Sequence, residues 1–230
     1  MITKNENALF EEWKDIIPQD AGAIFVTDGV VDEEVWLRAN TKVLYLLKEV
    51  NGAEKSWDER DYLKRYNVAP EYIATHSQTI NNLMRWQYGI VYGKDMCWND
   101  VESALKNKDI QSNVLSEMCL VNVKKTAGGG LVDWNEFGNY FDKEANRTYL
   151  RRQLELYEPD LVICGGTAYY LNCLYGLEYE DWKETSQGVR YMKRGKMVYI
   201  DFCHPNNRGP KNLIYYGLLD AVFEIQKDLT

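Results

Sequence analysis

Four short runs of nearly unbroken apolar residues punctuate the chain: Lys42–Leu47 (KVLYLL), Met118–Val123 (MCLVNV), Asp160–Cys164 (DLVIC) and Met197–Phe202 (MVYIDF). A strand with one wet face alternates apolar and polar residues. A run that is apolar at every position fits a strand buried on both faces of a parallel sheet. Helical spacing fills the gaps. Glu71–Trp86 lies between the first two runs. In Lys143–Tyr157 the residues Leu150, Leu154 and Tyr157 share a face, with Pro159 as a stop. A further helix opens at Ala168 after Gly165-Gly166-Thr167, with Thr167 as its cap. The last follows Pro210, with Ile214, Leu218, Ala221, Val222 and Ile225 on one side. Strands alternating with helices predict an α/β fold, a three-layer α/β/α sandwich around a central, mostly parallel four-stranded sheet. No repeat or linker divides the chain. One domain over residues 1–230 is expected, with residues 1–40 as a helical extension in which Ile24–Asp32 adds a short edge strand or hairpin.

In an open parallel sheet, ligands collect beyond the carboxyl ends of the strands. The residues after each run are Lys48-Glu49-Val50-Asn51-Gly52, then Asn122 to Thr126 followed by Gly128–Gly130, then Gly165-Gly166-Thr167, and last His204-Pro205-Asn206-Asn207-Arg208. Carboxylate, amide, lysines, imidazole and guanidinium are therefore expected on one rim. Neither glycine cluster is a phosphate loop. No G-K-(S/T) follows Gly128–Gly130, and Gly165-Gly166-Thr167 is not G-x-G-x-x-G.

Each group has two readings. Glu49 follows an apolar strand, where a bare carboxylate is costly. It is either a base or electrostatic stabiliser of a cation, or a strand-end partner of Lys48, Lys125 or Arg208. His204, held extended by Pro205, either aims its imidazole into the cleft or is satisfied within a turn. Asn122 either reads a donor/acceptor edge or ties its strand to the next loop. Lys124, Lys125, Arg208 and Lys211 either hold phosphates or are solvated charge. Trp57 either stacks on a base or fills a core. His76 lies in a helical stretch and reads as structural.

Composition narrows the partners. A net charge of −8, from 35 acidic against 27 basic residues, gives no whole-molecule basic footprint, so a nucleic-acid contact needs a local patch. Five scattered cysteines without a C-x-x-C pair fit reduced, buried thiols rather than a disulfide framework or a zinc site. The acidic N-terminus is no signal sequence and no apolar run is long enough to span a bilayer. A cytoplasmic, monomeric protein without membrane contact or metal is expected.

Taken in order, the rim segments LLKEVNG (46–52), LVNVKKT (120–126), PDLVICGGTAYYL (159–171) and IDFCHPNNR (200–208) resemble the uracil-DNA glycosylase superfamily. Its first strand ends in a G-(D/E/N)-x-P-G-like motif, its second in an Asn. Its third carries P-x-x-(I/V)-(I/V)-x-x-G-x-x-A and its last ends in an H-P-S-like motif. The resemblance spans about residues 40–225. Lys48 stands where the superfamily often has Gly, Asn51 where it has Pro, and Asn206 where it has Ser, which leaves the choice of base open. The iron–sulfur branches need an N-terminal Cys, and none precedes Cys97 here. The resemblance implies no cluster and no other cofactor.

It implies a DNA glycosylase that flips a uracil or modified base from single- or double-stranded DNA and cleaves its N-glycosidic bond. Glu49 would stabilise the sugar cation or orient water, and His204 would stabilise the departing base. Asn122, Val50, Asn51 and Trp57 would hold the base, and Lys124, Lys125, Asn206, Arg208 and Lys211 the flanking phosphates. Two other classes compete: a binder of flipped or modified bases that does not cut, and a hydrolase of small nucleosides, which the acidic charge suits.

Overall fold

The computed structural model describes residues 1–17, 24–52, 57–66, 77–93 and 96–228. In chain order its elements are α1 (Ile2–Ile16), β1 (Val26–Thr27), β2 (Gly29–Val30), α2 (Glu33–Arg38), β3 (Val43–Leu47), β4 (Trp57–Asp58), α3 (Glu59–Arg65) and α4 (Gln78–Tyr92). Then come α5 (Trp98–Ala104), α6 (Lys108–Ser116), β5 (Cys119–Asn122), α7 (Trp134–Phe141), α8 (Glu144–Tyr157), β6 (Leu161–Gly165), α9 (Ala168–Tyr175), β7 (Lys183–Glu184), β8 (Arg190–Arg194), β9 (Met197–Phe202) and α10 (Lys211–Asp228). The start of the expected helix Glu71–Trp86, with His76, lies outside the described residues.

The apolar runs are strands because each can be buried on two sides at once. β3 is buried at all five positions. Its side chains alternate between two cores. Val43, Tyr45 and Leu47 enter one, with α4, α5, α6 and α10, while Leu44 and Leu46 enter the other, with α1, α7, α8 and α9. Helices thus cover both faces of the sheet. The one polar group that this burial imposes on β3 is satisfied, since the Tyr45 hydroxyl donates to Gln87 Oε1 at 3.1 Å.

The sheet is larger than the four strands expected. It has seven, in the order β2-β5-β3-β6-β9-β8-β7, and it is mixed. β3 runs parallel to β5 and β6, and β6 parallel to β9. β2, β8 and β7 add antiparallel edges. The additions are short or polar, as solvent-side edges are: both residues of β7 and the last two of β8 are exposed. The Ile24–Asp32 segment supplies β2, and also β1, which pairs in parallel with β4.

Two expectations about turns resolve differently. α8 stops before Pro159, with Glu158 in the left-handed region at φ +44°. Thr167 occupies the cap position of α9 without capping it; its hydroxyl donates instead to Leu46 O at 2.8 Å, pinning the turn to β3. Among the described residues no helix is long and apolar enough to cross a membrane.

Candidate functional site

A cleft of about 720 Å³ opens beyond the carboxyl ends of β3, β5 and β9. Glu49, Val50, Asn51, Asn122, Trp57, His204 and Asn206 all line it, although the sequence scatters them from residue 49 to residue 206. Parallel strands make this convergence: each delivers its C-terminal residue to the same edge of the sheet.

The banks carrying Glu49 and Asn122 are stitched together. Past the strands proper, Val123 N donates to Leu47 O and Lys124 N to Lys48 O, both at 2.9 Å. Gly128 N then donates to Val50 O at 2.8 Å, and Gly52 N to Gly128 O at 2.9 Å. The ladder of β3 and β5 therefore runs on into the two loops.

Glu49 is 5% exposed. Its Oε2 meets Lys124 Nζ at 2.7 Å, and that ammonium also reaches Glu136 Oε1 at 2.8 Å. So the strand-end partner is Lys124, and none of the three cations expected. Among the described residues Glu49 Oε1, also buried, has no hydrogen-bond partner. Backbone packs against this carboxylate at Gly128, where a Cβ would overlap both oxygens. One oxygen is thus fixed by a cation, and the other has no partner among the described residues.

Lys124 and Lys125 do not stand on the rim. Lys124 is 1% exposed and committed to Glu49 and Glu136. Lys125 has no exposed surface and points the other way, between the rings of Trp13 and Phe10. There its ammonium holds both oxygens of Asp28 and the carbonyl of Asn122. Burial pushes this ammonium down, and Asp28 opposes that shift. Buried lysines cannot release counterions from phosphates, so the phosphate role expected of this pair is withdrawn. Arg208 and Lys211 are exposed, outside the residues that line the cleft.

Behind Asn122 the same Asp28 accepts from its backbone N at 2.7 Å and from its Nδ2 at 3.2 Å. A carboxylate there fixes the amide's orientation: NH2 towards Asp28, with Oδ1 and one N–H remaining. Gln153 Nε2 adds a further bond to Asp28 at 2.8 Å. Asp28 was not anticipated. It sits between two short strands, and its partners Asn122 and Lys125 lie 94 and 97 residues on.

His204 Nδ1 accepts the backbone N–H of Asn206 at 3.1 Å, so the neutral ring carries its proton on Nε2 as a donor. Burial, with help from the Lys48 ammonium, lowers the imidazole to about 4. At neutral pH it is a neutral donor. Lys48, itself lowered by burial, lies over the Trp134 ring at 5.2 Å.

The far bank is aromatic and acidic. Trp57 and Tyr62 lie with ring centroids 5.1 Å apart, and the Trp57 indole N–H donates to Glu59 Oε2 at 2.6 Å. Glu59 lines the cleft and was also missed. Its sequence signal is faint, since an acid in the first turn of a helix is ordinary. No family model matches the chain, and no curated protein matches it either.

Proposed function

We propose that this protein binds a nucleobase in the cleft and hydrolyses its N-glycosidic bond, the base being presented by DNA. The observation that carries the reading is the meeting of Glu49, Asn122 and a neutral His204 in one cleft beyond three parallel strands. The C1′–N bond breaks with its electron pair going to the base, and positive charge builds on the sugar. Glu49 stabilises that charge, orients the water that attacks C1′ and takes its proton at Oε1, from which it passes to the departed base to complete the hydrolysis. His204 donates Nε2–H to the charge growing on the base, and its neutrality suits a donor that need not give up the proton. Asn122 meets the base edge through Oδ1 and its free N–H. Arg208 and Lys211, the exposed cations of the expected set, serve the phosphates.

A base reader that does not cut is the second reading, and the Lys124 ion pair favours it because it ties up half of the Glu49 carboxylate. The burial of two expected rim lysines favours a small nucleoside over DNA. Single-turnover assays decide among the three. They should use single-stranded and duplex oligonucleotides carrying uracil or a modified base, beside the free nucleosides. Abasic-site formation supports the glycosylase; release of base from nucleosides alone moves the substrate; binding without release leaves the reader.

A further inference from the structure

Among the described residues, the buried or half-buried carboxylates near the cleft have a cation, with one exception. Glu49 has Lys124, Asp28 has Lys125, and Glu6 and Asp58 share Arg60. Glu59 is 8% exposed and lines the cleft, yet among the described residues no cation pairs with it. Its anchor is neutral, the Trp57 indole N–H at Oε2. A buried carboxylate without a counter-ion is expensive, and a group so placed relieves the cost by holding its proton to higher pH.

We propose that Glu59 is a specificity-determining residue of this cleft: in its protonated form it donates its O–H to an acceptor, a ring nitrogen or an exocyclic carbonyl, on the edge of a heterocycle lying against Trp57 and Tyr62. The proposal rests on the reading that the cleft takes a base. Oε2 accepts from the indole and is therefore the carbonyl oxygen, which leaves the proton on Oε1. Because Trp57 both forms the wall and holds Glu59, a ring on that wall brings its edge to the acid. The site then holds two carboxyl groups with divided duties, a cation-paired Glu49 and a proton-bearing Glu59.

The surroundings agree. Burial pushes Glu59 up to about 7, the Trp57 bond opposes that, and the charges of Asp28 and Asp58 add to it. α3 packs on β1, β2 and α6. The charged groups these bring are Asp28, between β1 and β2, and the exposed Lys108 and Asp109 on α6. Across the cleft stand Lys48, Glu49 and His204, and along α3 follow Arg60, Asp61, Lys64 and Arg65. His204 changes charge only near 4 and Glu6, behind Arg60, near 6. The test must separate Glu59 from Glu6.

The experiment measures equilibrium binding by the full chain of single-stranded oligonucleotides carrying one 2′-fluoro nucleotide of uracil, cytosine, adenine or guanine, between pH 5.5 and 8.5. For the base that binds, affinity should hold at acid pH and fall about tenfold per unit above about 7. Glu59→Gln keeps a donor at every pH and should retain the affinity while abolishing the fall. Trp57→Phe, which removes a bond favouring the ionised acid, should move the fall to higher pH. A pH dependence that persists in Glu59→Gln, or is absent from the parent, overturns the role of Glu59 alone. The free nucleosides are titrated in parallel, and if neither an oligonucleotide nor a nucleoside binds at any pH, the base-binding reading falls and takes Glu59 with it.

Discussion

Lys125 and Asp28, 97 residues apart in sequence, meet inside the protein with Nζ at 2.6 and 2.7 Å from the two carboxylate oxygens and no exposed surface on either side chain. Asn122, on the cleft wall, is oriented from behind by this pair through Asp28 and the bond from Lys125 to its carbonyl.

Removing one partner strands the other in the interior. Lys125→Met should therefore destabilise the fold by about 3–5 kcal/mol, read as a lower urea midpoint, and Asp28→Asn in the same chain should recover part of the loss. Unchanged stability with uniformly weaker binding of oligonucleotides would place Lys125 back on the rim.

Glu49→Gln should leave the fold intact, because Lys124 keeps Glu136, and should cut single-turnover base release by two or more orders of magnitude, roughly the scale of a lost electrostatic stabiliser. Gly128→Ala should imitate it by pushing the carboxylate aside. Gly138→Ala, in the open on α7, should leave release unchanged and stabilise the helix by about 0.5–1 kcal/mol. If Glu49→Gln releases base like the parent, Glu49 is a strand-end ion pair and nothing more.

Arg208→Ala and Lys211→Ala should each lower the slope of log affinity against log salt by about one, the signature of a lost phosphate contact. An unchanged slope in both variants points to the free nucleoside as substrate.

Two groups of the cleft pull stability in opposite directions with pH. His204 titrates near 4 in the folded chain against an ordinary 6.5, so the unfolded chain takes up the proton first. Its contribution is intact above 6.5 and is lost as the pH falls towards 4. Glu59 titrates near 7 against 4.5, so its contribution is full below 4.5 and is lost as the pH rises through 7. Glu59→Gln should accordingly be more stable than the parent at pH 8.5, by about 3 kcal/mol, and converge with it near pH 4.5. Parallel denaturation curves at both pH values would contradict the buried, unpaired acid.

The strand skeleton was legible because burial on two faces leaves an unbroken apolar run, and Met197–Phe202 was read to the residue. β8 escaped because its ends are charged, although Gly195 at φ +62° opens a two-residue turn between Arg194 and its partner Met197, a hairpin signal that could have been used. At the site, strand ends located Glu49, Asn122 and His204 without help from distant residues. The lysines went wrong for the opposite reason. Side chains alternate, so Lys124 turns to Glu49 behind the cleft wall and Lys125 to the far core, and what each meets there, Glu136 or Asp28, is fixed by distant segments that no local pattern exposes. Glu59 hid in the same way, as its meaning depends on which described residues surround it in three dimensions, none of them a paired cation.

The continuation of the β3–β5 ladder into Gly52 and Gly128 has a consequence for turnover. Glu49 and Asn122 belong to one rigid plank, so ligand entry and product exit cannot proceed by parting them. On the proposed reading that motion falls to the first turn of α4, which meets the cleft without sharing that ladder, whereas Trp57 is tied to the same plank through β4, β1 and the bonds of Val26 N to Lys125 O and Ala127 N to Ile24 O. On that reading Glu49 keeps its place while the α4 side of the cleft does the opening.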